Sequence, residues 1–296
     1  MPPPARIITG MHKQPVTYSV SKVADKLDFN DTPPGEAVCF EHDFGAYSLE
    51  ARILFNQARD WPWVMSIHGA RADYTGANPT NFALQQHGIS LLTPNLSAHN
   101  AASPIPLEAG TPQQNIDEAS AFYQYLDPVR PKTLIAMSLG AVSALKILSQ
   151  QLDEIDKVVL FGPAVYPVAA YDKHYVTELP PVLRAVGYRD NDVIEPLSRF
   201  RGKLLLVKGE YDGLDATKWG KPAGHAAGEV EINGAKHYSP IPKEVIDMII
   251  GAVPDGRARL LEIPGAGHSF NTWARQNPDK APSFIAQIAD FILDNH

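Results

Sequence analysis

Short, almost wholly apolar runs recur along this chain, and most are followed by a stretch whose apolar residues return every three or four positions. The first pair, Glu36–Phe44 and Leu49–Asn56, flanks Gly45-Ala46-Tyr47-Ser48 and predicts a hairpin. Pro62–Ala70 is a buried strand running into His-Gly, Pro79–Gly88 a helix with Gly88 as its stop, and Ile89–Leu96 the next strand. Gln113–Leu126 carries Ile116, Ala119, Phe122 or Tyr123, and Leu126 on one helical face. Lys132–Ser138 and Asp156–Ala164 read as strands around a helix at Leu139–Leu152. Beyond an irregular stretch rich in Pro, Tyr and charge, Lys203–Gly213 is a strand ending in acidic residues and Ile241–Val253 a helix. Ala258–Phe270 is a strand ending in a histidine loop, and Ser283–Asn295 an amphipathic helix.

Short apolar strands alternating with helices predict a mostly parallel sheet covered on both faces, with the initial hairpin adding antiparallel strands at one edge. Ligands of such sheets bind beyond the carboxyl ends of the strands. The residues just after each strand are therefore the ones to inspect for chemistry.

Composition narrows the classes of function. The 296 residues are 44% hydrophobic and 20% charged, with a formal net charge of −7. That balance suits a folded globular chain and opposes binding to phosphate backbones or anionic lipid. Neither a nucleic-acid nor a membrane partner is expected. The single cysteine, Cys39, excludes an intrachain disulfide and reads as a core residue on a strand. Residues 1–10 hold no long apolar segment of the signal-peptide kind, and no apolar run approaches the ~18 residues of a membrane span, so a cytoplasmic protein is expected. The chain has no Gly-x-Gly-x-x-Gly after a strand, no Walker loop, no His-Glu-x-x-His pair and no cysteine-based metal spacing; no cofactor or metal is expected.

Three strand ends carry apt side chains. Ser138 stands alone among small and apolar residues in "LIAMSLGAVSALKIL", either as a helix cap or as a nucleophile. "KGEYDG" offers Asp212, with Glu210 and Asp215 as neighbouring acids. "GAGHSF" offers His268, while His237 in "NGAKHYS" also precedes a helix and follows "GEVEING", which could pass for the last strand. "ARLLEIP" is the better strand and precedes the terminal helix, which favours His268 and leaves His237, Tyr238 and Ser239 as loop or pocket-rim residues or a satisfied surface patch.

The order Ser138, Asp212, His268 at successive strand ends resembles the α/β-hydrolases, over the chain from about Glu36 onward. The nucleophile motif reads Ala136-Met137-Ser138-Leu139-Gly140, with alanine where the family's Gly-x-Ser-x-Gly has its first glycine. The resemblance implies an eight-stranded, mostly parallel sheet. Residues 1–32 would be an irregular arm and 33–296 the hydrolase domain, with 165–202 inserted as a small cap. It also implies Ser138 as nucleophile, His268 as base and Asp212, four positions from Gly209 counted inclusively, as the acid that orients it. The oxyanion would be held by the backbone N–H of Leu139 and of Ala70, with Arg71 as the alternative second donor. His68 would be a structural hydrogen-bonding residue and Gly69 would let the backbone approach the substrate, while Arg71, Met137, His99 and Tyr166 would border the pocket. The implied activity is hydrolysis of a small to medium carboxylic ester, thioester or lactone, with a small-molecule acyl substrate as partner. Two alternatives stay open: an acyltransferase or lyase using the same three groups, and a non-enzymatic ligand-binding protein on the same scaffold.

Overall fold

The computed structural model describes residues 11–12 and 32–294, apart from 101, 185–186, 223–224, 226–227 and 255. The expected N-terminal arm thus lies outside the described residues, except for Thr32 and a two-residue strand β1 (Met11–His12) on the edge of the sheet. The other eight strands of that sheet are β2 (Ala37–Asp43), β3 (Ser48–Leu54), β4 (Val64–Ile67), β5 (Leu91–Pro94), β6 (Lys132–Met137), β7 (Ile155–Phe161), β8 (Lys203–Gly209) and β11 (Ala258–Ile263). Their order is β1-β2-β3-β5-β4-β6-β7-β8-β11. β2 and β3 form the antiparallel hairpin and β3 pairs antiparallel with β5, while β5, β4, β6, β7, β8 and β11 run parallel.

The central stretches of the parallel strands β6, β7 and β8 are apolar because both faces are covered, whereas β11 is largely exposed. Side chains alternate between two cores with the two-residue period of a strand. Leu134, Ala136, Val158, Leu160, Leu204 and Leu206 point to one face, and Ile135, Val159, Phe161, Leu205 and Val207 to the other. Helices α2 (Pro112–Tyr123), α3 (Gly140–Gln150) and α5 (Lys243–Ala252) cover the first face. Helices α1 (Asn78–Gln86), α6 (Phe270–Gln276) and α7 (Ala281–Leu293) cover the second. Cys39 is buried on β2, as a core residue should be. Gly88, at φ +87°, ends the turn after α1 in a conformation that suits glycine. α6 directly follows the histidine loop and was not read from periodicity; Ser269 caps it by accepting from the Thr272 N–H.

Two segments leave the layered core. Residues 165–202 hold three short 3-10 turns and helix α4 (Leu179–Arg184), packed over α2 and α3 through Tyr166, Ala170, Tyr171, Tyr175 and Leu179. The second is an antiparallel hairpin, β9 (Gly228–Ile232) and β10 (Ala235–Ser239), separate from the main sheet. The "GEVEING" stretch is therefore a strand, but of this hairpin. The expectation that His237, Tyr238 and Ser239 lie in a loop is corrected: they lie on β10. Asn233 and Gly234, both at positive φ, close the turn between β9 and β10. No helix among the described residues is long and apolar enough to cross a membrane.

Candidate active site

β6, near the middle of the sheet, ends at Met137, and the chain turns sharply into α3 through Ser138. Ser138 adopts φ +51°, a left-handed conformation that costs a non-glycine residue about 1–2 kcal/mol. The surroundings hold it there. Its N–H donates to the Phe161 carbonyl (2.8 Å), and its own carbonyl accepts from Ala164 (3.0 Å) and Ala141 (3.1 Å). Gly140 is required next to it, because a Cβ at that position would lie 2.4 Å from the His68 carbonyl oxygen. Ala136 causes no conflict at the first small position: it is an ordinary β6 residue whose methyl is buried in the core. The hydroxyl does not cap the helix, whose N-cap residue is Leu139 with no side-chain cap bond.

The Ser138 hydroxyl meets His268 instead. His268 Nε2 lies 2.9 Å from Ser138 Oγ, and His268 Nδ1 lies 2.7 Å from Asp212 Oδ2. A carboxylate only accepts, so Nδ1–H donates to Asp212 and Nε2 is left to accept from the serine O–H. Asp212 is 0% exposed. The structure thus brings the three side chains into one hydrogen-bonded line from strand ends 138, 212 and 268. Gly162, which follows β7 and was not foreseen, makes the fit possible. At φ +48°, a Cβ there would sit 2.8 Å from Asp212 Oδ2 and 3.0 Å from His268 Nδ1. A glycine directly after the strand beside β6 is the signal that could have revealed it.

The acid and histidine loops are joined along their length. Glu210 N–H donates to Ile263 O (3.0 Å), Tyr211 N–H to Ala266 O (2.9 Å), and Gly265 N–H to Glu210 Oε2 (2.8 Å). Glu210, a competing acid in the sequence, is thus the pin of the histidine loop. Asp215 caps the 3-10 turn Ala216–Trp219 through Thr217. The His237 ring lies tilted at 41° against Tyr211, with ring centroids 4.0 Å apart, and makes no hydrogen bond to Ser138 among the described residues. Asn271 on α6 donates to Met137 Sδ (3.1 Å) and accepts from Thr80 Oγ1 (2.7 Å), tying the helix after His268 to the residue before Ser138.

The loop after β4 lies against this turn. A Cβ on Gly69 would meet the Met137 carbonyl oxygen at 3.1 Å and Ser138 Cβ at 3.3 Å. Arg71, exposed and at φ +55°, turns the loop away. Among the described residues the backbone N–H groups of Leu139, Ala70 and Arg71 make no hydrogen bond to another protein atom. His68 is a buried brace. Its Nε2 accepts from the Leu96 N–H (3.0 Å), which leaves Nδ1–H to donate to the Gly69 carbonyl (2.8 Å). Behind it, buried His99 donates from Nε2 to Asn115 Oδ1 (2.7 Å), which also accepts from Tyr175 (2.6 Å).

Burial first, and the nearby His68 second, lower the pKa of His99 from 6.5 to about 4. The unfolded chain then binds more protons than the folded one between those two values. Stability from this group is present above the unfolded value and is lost as pH falls through the window from about 6.5 to about 4. His99→Gln, which keeps an N–H donor for Asn115, is expected to flatten the loss in urea-unfolding midpoints across that range. The change in slope should approach about 1.4 kcal/mol per pH unit at most. His68, whose pKa is also lowered by burial, remains to supply part of the wild-type slope.

Comparisons with known proteins agree on the fold. No family model and no curated protein matches the chain. Solved structures do. Est1E from Butyrivibrio proteoclasticus with bound ferulic acid superimposes with a TM-score of 0.61 at 14% identity, over 86% of this chain and 98% of that one. A thioesterase domain from the curacin biosynthetic pathway gives 0.57 at 15% identity, over 86% and 99%. The enol-lactonase from Burkholderia xenovorans LB400 gives 0.55 at 14% identity, over 86% and 100%. The chain has the α/β-hydrolase fold.

Proposed function

We propose that this protein is a serine hydrolase that cleaves a small to medium carboxylic ester, thioester or lactone through an acyl-Ser138 intermediate. The observation that carries the reading is the line Asp212–His268–Ser138, ending on a hydroxyl held at positive φ. Similarity of fold to an esterase, a thioesterase and an enol-lactonase supports the same range of bonds.

In the proposed cycle His268 Nε2 takes the proton as Ser138 Oγ attacks the acyl carbon. The carbonyl electrons move onto oxygen, where the Leu139 and Ala70 N–H groups face the growing charge. Asp212 keeps Nδ1 protonated and stabilises the imidazolium. Collapse expels the leaving group with the proton from His268, and water then releases the acid by the same steps in reverse. The cycle uses no metal or organic cofactor. Residues 165–202 act in this reading as a small cap over the site, with Tyr166 just before its first turn. The setting in this reading is a reducing, cytoplasmic one, where buried Cys39 stays a thiol.

The test is labelling with a fluorophosphonate followed by peptide mass mapping, with a chain-length series of chromogenic esters alongside. One adduct on Ser138 and turnover of the short esters are expected. A folded protein that takes no label there would overturn the reading.

A further inference from the structure

The hairpin β9–β10 enters the chain between the acid loop and α5, and it is fastened from beneath. Val230 packs on Ala216, with Leu214, Trp219 and Ile232 around them, and the tilted His237 ring lies against Tyr211, the residue before Asp212. The alternation of a strand sends the neighbouring side chains to the opposite face. That face is charged, with the Lys236–Glu229 ion pair (2.7 Å) and Glu231, and it carries one aromatic ring, Tyr238. Tyr238 is 62% exposed, yet its ring stands 5.8 Å from that of His268 at an angle of 88°. Tyr166 is only 8% exposed, and its hydroxyl has no hydrogen-bond partner among the described residues. It packs with Leu139, next to Ser138, and Tyr238 is close enough to reinforce the upward pKa shift that burial gives it.

The chemistry of acyl transfer says which half of the site this is. His268 Nε2 must hand its proton to the departing atom, so the leaving group lies on the His268 side of Ser138. A largely exposed ring beside that imidazole is a wall of the leaving-group half. We propose that Tyr238, delivered by the β9–β10 hairpin, and Tyr166 form a leaving-group subsite selective for an aryl or other planar leaving group carrying a hydrogen-bond acceptor. The Tyr238 ring supplies the flat contact and the Tyr166 hydroxyl the donor. The proposal rests on the serine-hydrolase reading.

Its test uses the full chain and esters of one acid, so that every substrate passes through the same acyl-enzyme. Phenyl, 4-acetylphenyl and ethyl esters of that acid are compared, each as the ratio of variant to wild-type kcat/KM, which cancels intrinsic reactivity. Tyr238→Ala is expected to lower kcat/KM at least 10-fold for both aryl esters and less than about threefold for the ethyl ester. Tyr238→Phe should restore the aryl rates, and Tyr166→Phe should slow the 4-acetylphenyl ester more than the phenyl ester. The deacylation rate, read from burst kinetics, should not change in any variant. Equal losses for aryl and ethyl esters, a changed deacylation rate, or no loss at all would overturn the subsite. Fluorophosphonate labelling of the wild type separates the two levels. A labelled Ser138 with unselective variants sinks the subsite alone, whereas an unlabelled Ser138 removes the hydrolase reading and the subsite together.

Discussion

Ser138→Ala is expected to lower ester turnover by roughly 10⁴- to 10⁶-fold, to abolish fluorophosphonate labelling and to leave the unfolding midpoint nearly unchanged. The size of the loss follows from how the three groups act. Without the oxygen, His268 has nothing to deprotonate, and the Asp212–His268 bond does no chemistry alone. The residual rate would come from the free N–H groups of Leu139 and Ala70 and from substrate binding. Stability is spared because alanine meets the same steric penalty at φ +51° as serine does, and the backbone bonds to Phe161, Ala141 and Ala164 remain. A loss of kcat with little change in KM, alongside an unaltered melting curve, is the signature. If the protein only binds its ligand, the same substitution would leave ligand affinity and ligand-dependent function where they were.

Gly162→Ala is expected to cost roughly 10²- to 10⁴-fold in kcat although the residue touches no substrate. The added methyl would sit 2.8 Å from Asp212 Oδ2 and 3.0 Å from His268 Nδ1, against the bond that joins them. Neither side can yield freely. Asp212 is fully buried, and the histidine loop is pinned by Glu210, Tyr211 and Ala266. Gly162 cannot withdraw either, since its N–H is bonded to the Val207 carbonyl (2.9 Å). The left-handed φ of +48° adds about 1 kcal/mol of strain, visible as a melting temperature lower by a few degrees. A merely structural effect would stop there. Displacement of the Asp212–His268 bond would in addition remove the far-downfield proton resonance of the Nδ1–H and slow the labelling of Ser138.

The sheet was legible in the sequence because a parallel strand covered on both faces must be apolar along its length. Lys132–Met137 and Lys203–Gly209 stand out from helices for that reason, and Ser138 and Asp212 lie just beyond those strands. Four features were harder to read. α6 is 7 residues long, too short for its apolar period to repeat, and only Ser269 as a cap announces it. The β9–β10 hairpin did carry its own signal. Asn233-Gly234, at φ +52° and +78°, is the pairing that a tight two-residue turn demands. Its strand lies close to "ARLLEIP" in sequence, however, and competed with it for the last place in the sheet. Gly162 and Glu210 act through backbone approach and loop pinning, relations between distant segments that no local pattern records.

The position of β11 has a consequence for how the molecule fails. Ser138 stands at the end of β6, which has a strand on either side, whereas His268 follows β11, an edge strand that among the described residues pairs with β8 alone. An outer strand opens at a lower free energy than a central one, because fewer contacts must be broken. In the proposed reading the base is therefore carried by an edge of the sheet and the nucleophile by its centre. Under mild denaturing stress the molecule would fall silent while most of its amide protons were still shielded from exchange.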